Sequence, residues 1–523
     1  MTLRSFINIT MFRVFFKDAH STTNGGMVTT GDPTVYRNGT AAVEAASLHR
    51  AELLIGSQLT PARSDERIEV ISPYSEEVIG SIPRVTRSEA DLALRAARAA
   101  FDDGPWPRMA PVERGRALIR LADALAERKD ESALLYTLET GVPISTSPAL
   151  GFVTDTILRA YAEMATDEHF TEQRRWLGSE VTVRQEPVGV ALGISPWNAP
   201  VAGISFMIAP ALTAGCPIVL KPASEAPLST QVLAEAVAAA DLPPGVVSIL
   251  PGDGDLGAYL VERPEVDKIA FTGSTAVGTS IMASAAQRMV RVTLELGGKG
   301  PAIVCDDADL DALAGTLVRA GMGNSGQVCS AQTRILVPRS RHDEFLDRIV
   351  AEAAALTVGD PMDPATDLGP LTMKRQRDRI EDYLRIGREE GARVALGGSR
   401  PKGLDRGWFI EPTIFDGVEP GMRIAQEEIF GPVLCVLSYE DDDEAVKIAN
   451  DSTYGLVGSV FTTDSERAER IASQMRVGQV HINGYGTCPG QPFGGFKRSG
   501  IGRKGGPEGL AAYLETKVVQ RHR

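Results

Sequence analysis

Three side chains in this sequence have the chemistry of acyl transfer and lie far apart along the chain. They are Cys329 in GNSGQVCSAQTR (323–334), Asn198 in PWNAP (196–200) and Glu295 in LELGGK (294–299). A thiolate is the form of cysteine that attacks a carbonyl carbon. A side-chain amide can donate to the oxyanion that such an attack creates. A carboxylate at the end of an apolar strand gains basicity when burial disfavours its charge. Each residue also has a plain reading: a cysteine packed as a small hydrophobe, an asparagine in a turn, a glutamate in a structural ion pair. The setting of Cys329 speaks against the first. Its neighbours are Gly, Ser and Gln with one Val, and no helical or strand-like apolar period would bury it.

A second group of residues suits a phosphate-bearing ligand. FTGSTAVG (271–278) follows an apolar run. Its Gly273 permits close backbone approach, Ser274 offers a hydroxyl, and Thr275 is placed to cap the next helix. Exposed N–H groups at a helix start attract pyrophosphate oxygens. Lys221 ends a strand-like run, from which it would point into a ligand crevice. QEEIFGPV (426–433) adds Glu428 and Phe430 beside a Gly-Pro turn. The literal GxGxxG match, GDGDLG at 252–257, is weaker. Pro251 precedes it, and Glu262 and Glu265 come too early to reach a ribose in the same βαβ unit. It reads as a helix start whose first two glycines serve the turn.

Positioning these residues takes an ordered scaffold. Thr86 with Glu89 forms a capping box, and Ala90, Leu94, Ala97 and Phe101 follow at helical spacing. Leu118, Leu121, Ala122 and Leu125 mark a second amphipathic helix. GSEVTVRQEPVG (178–189) alternates like a hairpin strand. VALGI, PIVLKP, VVSIL, DKIAFTG and VTLELGG are then short apolar runs separated by helical stretches such as VLAEAVAAA. That alternation predicts parallel strands in a doubly wound sheet, with ligands at the carboxyl ends. A second α/β stretch begins near 299, and the tail LAAYLETKVVQR ends in another strand-like run.

The 523 residues are too many for one core, and 43% hydrophobic with 23% charged residues is the balance of a globular protein. A formal charge of −14 argues against nucleic acid or an anionic membrane as partner. Five dispersed cysteines make neither a disulfide framework nor a metal site, which points to a reducing, cytoplasmic setting. Residues 1–50 read as an irregular N-terminal extension. FINITMFRVFF is too interrupted by Arg13 for a signal peptide, and Met27 is an alternative start. Val188 to Leu220 carries no charge, but Pro196, Pro200, Pro210 and Pro217 divide it into a buried strand–loop–helix–strand.

PWNAP, KPAS, FTGSTAVG, LELGGK, GQVCSA, EEIFGPV and PFGGFKRSG, in this order, resemble the aldehyde dehydrogenase superfamily from residue 51 onward. The resemblance implies an α/β fold with a Rossmann-type cofactor domain (51–167 and 188–297), an α/β catalytic domain (298–504), and small β oligomerisation elements (168–187 and 505–523). It implies oxidation of an aldehyde by NAD or NADP in a homodimer or homotetramer. Cys329 would be the nucleophile, Asn198 the oxyanion donor and Glu295 the base that activates water. Ser195, Trp197, Lys221, Ser224, Gly273, Ser274, Glu428 and Phe430 would hold the cofactor, and Gly326 would let the backbone and the nicotinamide approach closely around the thiol. Ala199, Val328, Ser330, Thr487 and Phe493 would line the substrate pocket.

Two departures from the family pattern carry expectations of their own. Ser224 stands where NAD-preferring members often have Glu, so it would not repel a 2′-phosphate. Ala199 replaces the usual Phe after the asparagine and, with Thr487 and Cys488, implies a wider pocket for bulky or branched aldehydes. Two rival readings remain, a coenzyme-A-acylating enzyme and a non-catalytic oligomeric binding protein. The presence of Glu295, and of the complete Cys329–Asn198–Glu295 set, stands against them.

Overall fold

Short runs of Val, Ile and Leu are stable strands only when both faces are covered. In the computed structural model, which describes residues 48–176, 179–486, 488 and 490–521, those runs form the centre of an eight-stranded sheet. Its order is Gly500–Ile501, Arg291–Glu295, Lys268–Thr272, Ala191–Ile194, Ile218–Lys221, Val247–Ile249, Glu52–Ile55, Gln58–Pro61. The five strands between 191 and 295 are parallel to one another. Side chains alternate between two cores as the pleat requires. Ala191, Ile218, Leu220 and Ala270 face one core, with helices Pro111–Ala126 and Pro200–Ala214. Leu192, Val219, Ile269 and Phe271 face the other, with helices Arg87–Asp102 and Gly254–Val261.

Chain order from 191 runs outward one way through 218 and 247, then returns to 268 and continues to 291. Direction therefore switches between Ala191–Ile194 and Lys268–Thr272, where an open parallel sheet offers a crevice beyond its carboxyl ends. Ser195 to Asn198 follow one of these two strands and Gly273–Ser274 the other. The uncharged segment 188–220 is a strand, the helix Pro200–Ala214 and a strand. Among the described residues no helix is long and apolar enough to cross a membrane.

Two local readings change. Ser274, not Thr275, caps the helix Thr275–Ala286, its hydroxyl accepting from the Val277 N–H at 3.4 Å. Thr275 is already the first helical residue. In GDGDLG, Asp253 is the cap and Gly254 the first residue of Gly254–Val261, so the second glycine serves the helix rather than the turn. The capping box of Thr86 and Glu89 is present on Arg87–Asp102.

A seven-stranded sheet follows, ordered Arg393–Leu396, Thr413–Asp416, Val433–Tyr439, Arg334–Pro338, Pro301–Val304, Val457–Phe461, Gln479–Ile482, and is parallel except at its first pair. The helix Asp442–Asn450 starts within the acidic stretch Glu440 to Glu444, capped by Asp441. The strands Thr171–Trp176, Ser179–Pro187 and Leu514–Gln520 make a separate antiparallel sheet. Two segments sit apart from their sequence neighbours. Gly500–Ile501 joins the first sheet beside Arg291–Glu295, although it lies in the 298–504 stretch. The helix Gly506–Ala511 places Leu510 in the first core before the chain reaches the three-stranded sheet. The expected extension 1–50 lies outside the described residues except for 48–50, where His49 bridges to Ser81.

Candidate active site

The loop that carries Cys329 is shaped by three successive left-handed residues. After the helix Leu310–Met322, Asn324 (φ 51°), Ser325 (φ 52°) and Gly326 (φ 72°) reverse the chain. Such conformations need outside support. Ser325 donates to the Gly369 carbonyl at 2.7 Å, and the buried Gln327 accepts from the Thr372 N–H at 3.0 Å while donating to the Asn324 carbonyl at 3.2 Å. Gly326 permits a close backbone approach, as expected. A Cβ there would collide with the Gly431 carbonyl, so the glycine lets the loop pack on the Gly431–Pro432 turn.

Cys329 itself is half-buried and packs against Leu456, Val457 and Phe493, an apolar wall supplied by distant segments. That burial pushes its thiol up to about 11. Lys504 pulls it down, whereas Glu428 and Glu295 add to the rise. A thiol so placed needs a base, or a nearby cation, to lose its proton at neutral pH.

Asn198 reaches the same loop from the first sheet. Its side-chain amide donates to the Gln327 carbonyl at 2.7 Å, and its own carbonyl accepts from the Tyr136 hydroxyl at 2.7 Å. Glu295 arrives from the end of Arg291–Glu295, between Thr272 and Gly500. Its side chain is buried, and neither carboxylate oxygen has a hydrogen-bond partner among the described residues. Burial raises it to about 8, against the pull of Lys504 and Arg503. Gly298, three residues on, backs onto the Cys329 carbonyl so closely that a Cβ would collide with it. The three residues singled out for chemistry thus converge on one cleft between the two large sheets.

The residues expected to hold a cofactor gather at the switch point. Ser195 donates its N–H to the Lys221 carbonyl at 3.1 Å, and its buried hydroxyl has no partner among the described residues. Lys221 is buried with its ammonium on the Pro222 carbonyl at 2.8 Å, and burial lowers it to about 8. Gly273 donates its N–H to the Glu295 carbonyl at 3.0 Å, just before the Ser274 cap. Trp197 and Phe430 meet edge-to-face at 5.3 Å and 82°. Phe430 holds φ 62°, rare for a bulky residue, and Gln376 donates to its carbonyl at 2.9 Å. Glu428, raised by burial to about 6, accepts from the Gly298 N–H at 3.0 Å. Ser224 donates to Glu225 at 3.1 Å, and Glu225 pairs with Arg375 of the helix Lys374–Glu389. An unsatisfied buried hydroxyl, a buried ammonium, a helix N-terminus and an aromatic pair fit the phosphates, riboses and ring of a dinucleotide.

The expected pocket residues divide. Phe493 is buried against Cys329, and Ser330 shares a hydrogen bond with the Tyr485 hydroxyl at 3.0 Å. Val328 is half-buried beside the thiol, and Ala199 is half-buried against the first core. Thr487 lies outside the described residues. Four contributors went unread in the sequence. Gln327 and Tyr485 orient the loop, Arg375 pairs with Glu225 beside Ser224, and the charge of Lys504 acts on both Cys329 and Glu295. Gln327 adjoins the thiol and could have been weighed; the other three have no local signal.

Comparison with known proteins agrees with this geometry. The model of the aldehyde dehydrogenase family matches residues 59–519. The chain is 46% identical to the geranial dehydrogenase of Castellaniella defragrans over 90% of its own length and 99% of that protein. It is 43% identical to the 3-succinoylsemialdehyde-pyridine dehydrogenase of a Pseudomonas species, over 90% and 98%. The Mycobacterium tuberculosis aldehyde dehydrogenase complexed with NAD+ superposes with a TM-score of 0.88 at 45% identity, over 91% and 99%. With a thiol, an amide and an unpaired buried carboxylate converging in a fold shared over nine-tenths of its length, this chain belongs to the aldehyde dehydrogenase family.

Proposed function

We propose that this protein oxidises an aldehyde to the free carboxylic acid, with Cys329 as nucleophile, Asn198 as oxyanion donor and Glu295 as base. The observation that carries this reading is the Glu295 carboxylate, buried at the cleft beside Cys329 without a partner and raised to about 8. A glutamate kept for an ion pair would be paired. One kept for proton transfer is better left free and with its pKa near the working pH.

Cys329 loses its proton to Glu295, directly or through water, and its sulfur attacks the aldehyde carbon. The resulting oxyanion is held by the free N–H of the Asn198 amide and the Cys329 backbone N–H. When bound, NAD+ or NADP+ supplies the acceptor for the hydride that leaves the thiohemiacetal carbon, which makes the adduct a thioester. Glu295, having released the thiol's proton to solvent, then takes a proton from water, hydroxide adds to the thioester carbon, and the C–S bond breaks to release the acid, with the Cys329 sulfur leaving as thiolate. Lys221, Glu428, Ser195 and Ser274 hold the dinucleotide, with Trp197 and Phe430 bracing its site. The relatives named for geranial and for a pyridine-bearing semialdehyde support a preference for bulky aldehydes.

Val518 and Val519, exposed on opposite faces of the strand Leu514–Gln520 in the three-stranded sheet, support a homo-oligomer in which a second copy covers this strand. We place the enzyme in the cytoplasm on the strength of its free cysteines. A spectrophotometric panel of aldehydes, run with NAD+ and with NADP+ and followed by product analysis, tests the function. Free acid is expected, with no turnover by Cys329→Ala. Acyl-CoA as the sole product, or normal turnover by that variant, would overturn it.

A further inference from the structure

Among the described residues, Lys504 is the one cation whose charge acts on both Cys329 and Glu295, and the sequence motifs do not contain it. It follows Gly500–Ile501, the short strand that pairs with the end of Arg291–Glu295, so its place relative to Glu295 is set by sheet register. Its backbone pairs in both directions with Phe493, the residue against which Cys329 packs. The ammonium lies 4.8 Å from the ring centroid of Phe493 and 4.8 Å from that of Phe206 on Pro200–Ala214. Glu295, Lys504, Arg503 and Phe206 line one narrow cavity with Thr272, Thr293 and Tyr513.

Two ring faces hold a cation differently from a carboxylate. Their quadrupoles attract it without neutralising its charge. No ion pair involves Lys504 among the described residues, so its field remains available to the cavity. Arg503 is the other cation there, but its guanidinium is already bonded to the carbonyls of Gly495 and Gly502 and lies over Phe496. Lys268, on the far side of the cavity wall, is bonded to Thr293. The charged or titratable groups facing Glu295 and Cys329 are thus Lys504, Arg503, Glu428, Tyr485 and Tyr513, and each other.

We propose that Lys504, caged between Phe206 and Phe493, is a positioning residue that holds Glu295 in its anionic, base-competent form and eases deprotonation of Cys329. This rests on Glu295 being the base. Losing Lys504 would leave the carboxylate buried without its strongest compensating charge, so the base would ionise at higher pH.

The test uses the purified full-length enzyme with 4-nitrophenyl acetate, which acylates the thiol without any cofactor. The burst of nitrophenolate reports acylation, and the steady rate that follows reports hydrolysis of the acyl-enzyme. In Lys504→Met the midpoint of the pH profile for hydrolysis should rise by about half a unit or more, roughly a threefold loss at pH 7. Lys504→Arg should restore most of it. Phe206→Leu, which opens one side of the cage and keeps the lysine, should give a smaller rise and serves if Lys504→Met fails to fold. An unchanged midpoint in either folded variant would overturn the proposal. Glu295→Gln separates the two readings. If it hydrolyses at the wild-type rate, the assignment of the base fails. If it stalls while Lys504→Met keeps its midpoint, only the role of Lys504 fails.

Discussion

The Asn198 amide is bonded at 2.7 Å to the carbonyl of Gln327, two residues before the nucleophile. A primary amide carries two N–H groups. Tying one to the loop fixes the direction of the other, and the same bond holds the Cys329 loop to the strand that delivers Asn198. Asn198→Ala should therefore slow the acylation burst by about 10²–10³. Stopped-flow measurement of that burst checks this, and a loss below tenfold would show that the oxyanion is held elsewhere.

The thiol of Cys329 is pushed up to about 11 by burial in the free enzyme. Iodoacetamide reacts with thiolate only, so the alkylation rate of Cys329 should keep climbing through pH 9 and beyond. Peptide mapping separates it from the exposed Cys488. A rate that levels off below pH 8 would mean the thiol is already ionised.

Glu295 also makes stability depend on pH. Its folded value of about 8 lies above the roughly 4.3 of an exposed glutamate, so the native state binds this proton more tightly than the unfolded chain. Its contribution is complete below pH 4 and falls steadily up to pH 8, where the buried carboxylate has ionised. Glu295→Gln is never charged. Its melting temperature should match wild type near pH 5 and exceed it by a few degrees at pH 9. Parallel melting curves at the two pH values would refute this.

Ser224 donates to Glu225, which is in turn paired with Arg375. No carboxylate at position 224 opposes a 2′-phosphate, and the neighbouring Glu225 is already engaged by Arg375. Ser224→Glu should lower kcat/KM with NADP+ at least tenfold, about 1.4 kcal/mol, while changing the NAD+ value less than threefold. Steady-state kinetics with both cofactors decides, and equal losses would place position 224 away from the ribose.

The strands between 191 and 295 were legible because a buried parallel strand has to be a short apolar run, and each such run in the sequence became one. Gly500–Ile501 was not, because two residues carry no period. Only pairing with Leu294 and Glu295 makes them a strand. The cap of Thr275–Ala286 was misplaced by one residue, since Ser274 and Thr275 are both good caps and only the backbone dihedrals choose. That Gly326 permits a close backbone approach was legible, but not that the backbone is that of Gly431, a neighbour more than a hundred residues away.

The sequence by itself determined the reactive groups: a thiol in a polar loop, an amide after one strand and a carboxylate ending another. Residue type and position within a local element are what a linear text carries, and the roles proposed for these groups came with the resemblance of seven ordered motifs to the family. The tertiary structure decided how the groups are tuned. The high pKa of Cys329 comes from Leu456, Val457 and Phe493, that of Glu295 from burial between two strands, and the compensating charge from Lys504. Electrostatic strength depends on distance and on the exclusion of water, and both are set by chain segments that meet only in the fold.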